Sequence, residues 1–237
     1  WRVESGAWQS GAMSHTGDGN YTAQIPGQAA ATIVQFYVEG RDALNATSTY
    51  PAAGANSRAL YKVADGQAQL GNLHNFRIIM LTADADLMHT STNVMSNHRL
   101  GGTVVYDEGL PYYDVGIRLQ GSERGRNDSG RVSFDVAFQP DQLFRGVHPA
   151  VATDRSCGYS GRGGKQDEII FWQMANRAGD IPAMYNDLVH MIAPRTVHNG
   201  SAMLTLAEYE DEYLDTQYEN GSDGGLFKYE LIYFPTS

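Results

Sequence analysis

Cysteine is nearly absent from this 237-residue chain: Cys157 stands alone, so no disulfide can form within it and the redox compartment stays open. No His and Asn partner stands out to make Cys157 a nucleophile, and a packed thiol is its ordinary reading. No apolar run approaches the roughly 18 residues of a membrane-spanning helix, so no such span is expected. Cations are scarce too, with 17 Lys and Arg against 27 Asp and Glu and a formal net charge of -10. Nucleic-acid binding depends on clustered Lys and Arg that neutralise phosphates, so no nucleic-acid partner is expected. Histidines occur at 15, 74, 89, 98, 148, 190 and 198, without a His-Glu-x-x-His or another closely paired spacing, which argues against a zinc enzyme. His190, in an apolar strand, reads as a satisfied core histidine. Ser122 and Ser160 lack the Gly-x-Ser-x-Gly elbow of an α/β hydrolase. A secretory signal and an initiating methionine are also missing, and the abrupt opening at Trp1-Arg2-Val3 reads as a processed or partial product.

What is present is ample material for ordered cores: 42% of residues are hydrophobic and 19% charged. Five Asn-x-Ser/Thr sequons begin at Asn20, Asn45, Asn127, Asn199 and Asn220; they are glycosylation sites in a secreting eukaryote and polar turns otherwise. The length suits two units. Residues 1–66 read as a small β-sandwich, with a turn at Thr16-Gly17-Asp18-Gly19-Asn20 and a strand from Thr32 to Glu39 rich in β-branched and aromatic residues. Turn chemistry accounts for Asp18 without a calcium ion. The polar segment 64–69 reads as a linker into a second unit, 67–237.

In that unit Phe76 to Leu81 reads as a strand, with Thr82 as N-cap of a helix through His89. Val104–Tyr106 and Asp114–Leu119 flank the turn Asp107-Glu108-Gly109-Leu110-Pro111 as a hairpin, and Val132–Phe138 extends its sheet. Apolar residues at helical spacing predict a helix over Gln166–Ala178, closed by Gly179 and Pro182. Strands at Leu188–Ala193 and Ala202–Ala207 bracket His198-Asn199-Gly200, followed by a short helix at Asp211–Tyr218 and a last strand at Leu226–Phe234. Strands dominate without sustained β-α alternation, so the second unit is expected to be α+β with a mostly antiparallel sheet and few helices.

The segment Tyr113 to Arg126 carries the most chemistry. A strand runs directly into the polar, basic loop Gln120-Gly121-Ser122-Glu123-Arg124-Gly125-Arg126, and backbone N–H groups with guanidinium donors suit phosphate or carboxylate oxygens. A hairpin turn with solvated arginines is the plainer reading. The loop Cys157–Lys165 ahead of the predicted helix could also cradle an anion, although it lacks Walker spacing.

With the strand Arg131–Phe138, the Gly163-Gly164-Lys165 loop, Leu204–Asp211 and Gly224–Tyr229, this order resembles the spore-coat protein H (CotH) kinase-like family over residues 73–237. The pattern Gly17-Asp18-Gly19-Asn20-Tyr21-Thr22-Ala23, with Val34–Val38, similarly resembles immunoglobulin- or fibronectin-like modules that precede such domains in bacterial surface proteins. The resemblance implies a kinase-like N-terminal lobe, ATP and magnesium in the full-length protein, phosphorylation of protein Ser or Thr, and an extracellular or cell-surface location. Carried over by position, Arg118, Gly121, Ser122 and Arg124 would lie at the phosphate side, Glu208 and Asp211 near the hinge, and Lys228 on a closing strand. Glu208 and Asp211 equally suit a helix-opening carboxylate pair, and Lys228 an edge charge. Where the family carries lysines, this chain has Gln120 and Asp135. The family's catalytic aspartates lie downstream of the segment matching Leu226–Phe234, so phosphorylation is expected only with a further lobe.

Two other readings stand beside the kinase. One is a non-catalytic extracellular structural, adhesive or self-assembling module, whose fourteen tyrosines would make protein contacts. The other, an enzyme acting on carbohydrate, rests only on a sandwich beside an acidic unit, and a glycosidase carboxylate pair needs a known separation.

Overall fold

The computed structural model describes residues 1–155, 167–178 and 184–227. It is a mixed α+β structure, mostly sheet, dominated by a closed seven-stranded barrel.

The N-terminal part forms three small sheets. Strands β1 (Arg2–Val3), β4 (Ile33–Gln35) and β7 (Leu60–Lys62) make one antiparallel sheet, while β2 (Ser14–Gly17) pairs with β3 (Asn20–Thr22) and β5 (Val38–Arg41) with β6 (Thr47–Tyr50). The strand expected over Thr32–Glu39 is divided between β4 and β5. Phe36 donates its amide to the Ala59 carbonyl outside the ladder, and the chain turns there toward the β5–β6 ribbon. Leu60 packs with Ile79 and Leu81 in a small core that Ile33 and Val105 flank, so this sheet shares apolar contacts with the barrel.

The barrel runs β10 (Leu110–Gln120), β11 (Ser133–Ala137), β12 (Ala150–Asp154), β14 (Gly200–Ala207), β13 (Asn186–Ile192), β8 (His74–Ile79), β9 (Leu100–Tyr106) and back to β10. All pairings are antiparallel except β13 with β8. Period-two alternation sends Val115, Ile117 and Leu119 of β10 inward, with Phe134 and Val136 of β11 and Met191 of β13. At one end Phe144 plugs the interior: its ring lies 5.2 Å from Phe138, 5.2 Å from Tyr106 and 5.7 Å from Phe76. Gly102 is required where β9 meets this interior, since a Cβ there would come within 2.4 Å of Ile117 Cδ1 and 2.7 Å of the Ile79 carbonyl.

Among the described residues four α-helices decorate the strands: α1 (Thr82–Met88), α2 (Glu123–Arg126), α3 (Asp167–Ala178) and α4 (Asp211–Gln217). Thr82 is the first residue of α1 rather than its cap. Its amide and hydroxyl donate to the Glu4 carboxylate at 3.1 and 2.9 Å, so an acid from the N-terminal strand region serves the positive end of this helix. The segment 64–69 is held against the barrel: Asp65 pairs with Lys62 and Arg77, and Gln69 exchanges hydrogen bonds with Asn75. His190 is buried and meets the Ser201 hydroxyl at 2.8 Å.

Candidate functional site

The residues expected at the phosphate side sit where β10 ends. Arg118 and Asp135 are direct cross-strand partners, on the face opposite Ile117 and Phe134. Asp135 is fully buried and accepts from Arg118 Nη2 at 2.5 Å and from Arg99 at 2.6 and 2.8 Å. Three charges thus form a lateral row in which one carboxylate is shared by two guanidiniums. The space beside Arg118, between Met88, Ser96, His98 and Leu100, holds about 20 Å³, room for a single water.

Past Arg118 the chain reaches Gly121, whose φ of +98° is a conformation that glycine adopts without strain. Ser122 precedes the single turn of α2 and makes no capping bond with its side chain. Arg124 is exposed and makes no ion pair or side-chain hydrogen bond among the described residues. Arg126, two positions on, is buried and holds the turn. It donates to the Gly121 carbonyl at 2.9 Å, the Ser96 carbonyl at 3.0 Å and Asn97 Oδ1 at 2.9 Å.

Glu208 and Asp211 lie elsewhere. The register places Ala207 beside Val151, and Val151 beside Val136, so β14 finishes at the barrel end opposite to Gly121. Asp211 stands in the first turn of α4. That end carries its own polar cluster: Arg145 donates to the Tyr185 hydroxyl and lies 3.7 Å from Asp187, and His148 stacks on Tyr185 at 5.0 Å. Burial lowers the His148 pKa, against an opposing pull from Glu212 on α4. Burial above all raises Tyr106 to about 12, so this phenol stays protonated. The fold therefore unites Arg118, Gly121, Ser122 and Arg124, and it separates them from Glu208 and Asp211. Lys228, Cys157 with its loop to Lys165, and nearly all of the expected strand Leu226–Phe234 lie outside the described residues.

Two features went unread in the sequence. Arg99 precedes the predicted hairpin, and only the β9–β10 register brings it to Asp135. A cleft of about 540 Å³ opens in the N-terminal part between Trp1, Trp8, Phe36 and Tyr37, with Gln24 and Glu39 at its polar side. Trp8 meets Tyr37 edge-on at 5.0 Å, and the Arg2 guanidinium covers Trp8 at 4.6 Å. The clustering of Trp and Tyr near the start of the chain was the available signal. Among the described residues no group of three His, Cys, Asp or Glu could hold a metal ion.

No family model matches this chain, and no curated protein matches it.

Proposed function

We propose that this chain is a non-catalytic extracellular structural or adhesive module, built on a β-rich scaffold of the spore-coat protein H type with an immunoglobulin-like segment ahead of it. The observation that carries this reading is the buried Asp135 between Arg118 and Arg99. Phosphoryl transfer needs positioned cations on the nucleotide phosphates. Here the cation at that position is engaged by a carboxylate that stands where the resembling family has a lysine. Freeing it for ATP would strand Asp135 as a buried, under-compensated anion. The cleft at Trp8 and Tyr37 adds half-exposed aromatic surface of the kind on which protein contacts concentrate. A structural protein partner, or a second copy, is the expected contact, and the extracellular setting rests on the family resemblance.

Calorimetry with ATP and magnesium tests the reading on the chain itself and on an Arg118→Ala, Arg124→Ala double variant. No heat of binding is expected from either protein. Saturable binding by the parent chain that the double variant loses would overturn the proposal and restore the nucleotide-holding kinase lobe.

A further inference from the structure

We propose that the stacked imidazoles of His89 and His198 form an acid-released latch, which at neutral pH holds the end of α1 and two loops together at the barrel rim. His89 closes the C-terminus of α1, and His198 lies in the one-turn helix Thr196–His198 between β13 and β14. Their rings stack at 4.6 Å with 19° between planes. The second attachment runs from His198 Nδ1 to the Gly130 carbonyl, in the loop between α2 and β11. A carbonyl only accepts, so His198 carries its proton on Nδ1. This one side chain therefore ties the 193–199 turn both to α1 and to the 127–132 loop.

The arrangement tolerates neutral rings and opposes charged ones. His89 Nε2 is shielded from solvent and has no hydrogen-bond partner among the described residues. Protonating His89 would place an N–H donor there without an acceptor, which is costly at a buried position. Protonating both rings would set two like charges face to face. The facing carboxylates, Asp86 and Asp128, favour charge on His89 and His198 respectively, but each is already engaged by an arginine and burial outweighs them. On α1, Asp86 is paired with Arg195 of the turn at 2.7 Å; in the 127–132 loop, Asp128 is paired with Arg155, and the Arg131 side chain lies over Gly200. Arg195 itself opposes further positive charge on either ring. Burial first, then His198 and Arg195, lower His89 to about 4 from an ordinary 6.5, and burial also lowers His198. Histidines with depressed folded values make a contribution that is whole above about 6.5 and fades as pH falls toward about 4. Released rings would charge readily, so acid favours the open rim.

Backbone hydrogen exchange on the whole chain at about pH 7 and about pH 5, corrected for intrinsic rates, tests the latch. Protection in 127–132 and 193–199 is expected to fall about tenfold or more at the lower pH, one pKa unit being a factor of ten. His89→Phe keeps an aromatic face without a titrating nitrogen, and there the fall should be clearly smaller, with His198 alone left to titrate. An unchanged fall in His89→Phe, or none in the parent protein, would overturn the proposal. Should His89→Phe fail to fold, imidazole titration by NMR in the parent protein decides: midpoints below 6.5 for both rings support the latch, and midpoints at or above 6.5 sink it.

Discussion

Ser57 donates its hydroxyl to the Asp114 carboxylate at 2.9 Å, although 57 residues separate them in sequence. The same carboxylate accepts the Arg58 amide, and Asp114 holds a left-handed φ of 54° in the β9–β10 irregularity. One residue thus bends the barrel wall and anchors the N-terminal sheet. Asp114→Ala should cost about 2–3 kcal/mol in urea unfolding, from two lost bonds to a charged acceptor and a left-handed backbone that alanine adopts poorly. Asp114→Asn, which tolerates that backbone, should cost less.

The shared carboxylate of Asp135 makes a sharper prediction. Asp135→Ala leaves Arg118 and Arg99 side by side without their anion, and removing one partner of a buried ionic set costs about 3–5 kcal/mol. Chemical unfolding measures it. A loss below about 1 kcal/mol would mean that the guanidiniums swing to solvent, and would weaken the case against a phosphate grip.

Asp65 sets an acid limit for the join between the two parts. Burial alone would raise its carboxyl, but Arg77, the Gln67 amide and Lys62 outweigh burial and hold it at about 2, below the ordinary 3.8. The resulting stability is present above about 3.8 and is lost as pH falls through about 2. The parent protein should therefore exceed Asp65→Asn by about 2 kcal/mol near neutrality, with the gap closing in that acid window. Thermal unfolding of both proteins across pH gives the comparison.

Gly102→Ala should cost about 1–3 kcal/mol through overpacking, because the added methyl meets Ile117 and the Ile79 carbonyl. The paired variant Gly102→Ala, Ile117→Val should recover part of the loss, since it removes the nearest colliding atom. Failure of that rescue would place the strain in the backbone.

Local signals carried much of this fold into view. The strands flanking His198-Asn199-Gly200 appear as β13 and β14, the helix ending at Ala178 as α3 and the short helix at Asp211 as α4, because periodicity and turn residues act over neighbouring positions. His190 was legible as a core residue from its apolar strand, though its partner Ser201 was not. Closure of the barrel was invisible, since the parallel pairing of β8 with β13 leaves no trace in either strand's own pattern. The candidate site suffered the same blindness. In sequence Arg118 reads as a phosphate-side cation and Asp135 as a departure from a family lysine, and only register sets them opposite one another. Division of the first expected long strand at Phe36 likewise came from a tertiary hydrogen bond to Ala59.

The parallel seam between β8 and β13 also governs when this protein can become itself. Its two strands are the first of the barrel to be synthesised and nearly the last, so a growing chain must carry β8 through to Ile192 with one edge unmatched. Such distant pairings are slow to form, and an open edge of strand is an invitation to other chains while it waits. During biogenesis the vulnerable species is therefore a nearly complete sheet lacking its seam, and temporary shelter of the His74–Arg77 edge would matter more to yield than any later stabilisation of the finished barrel.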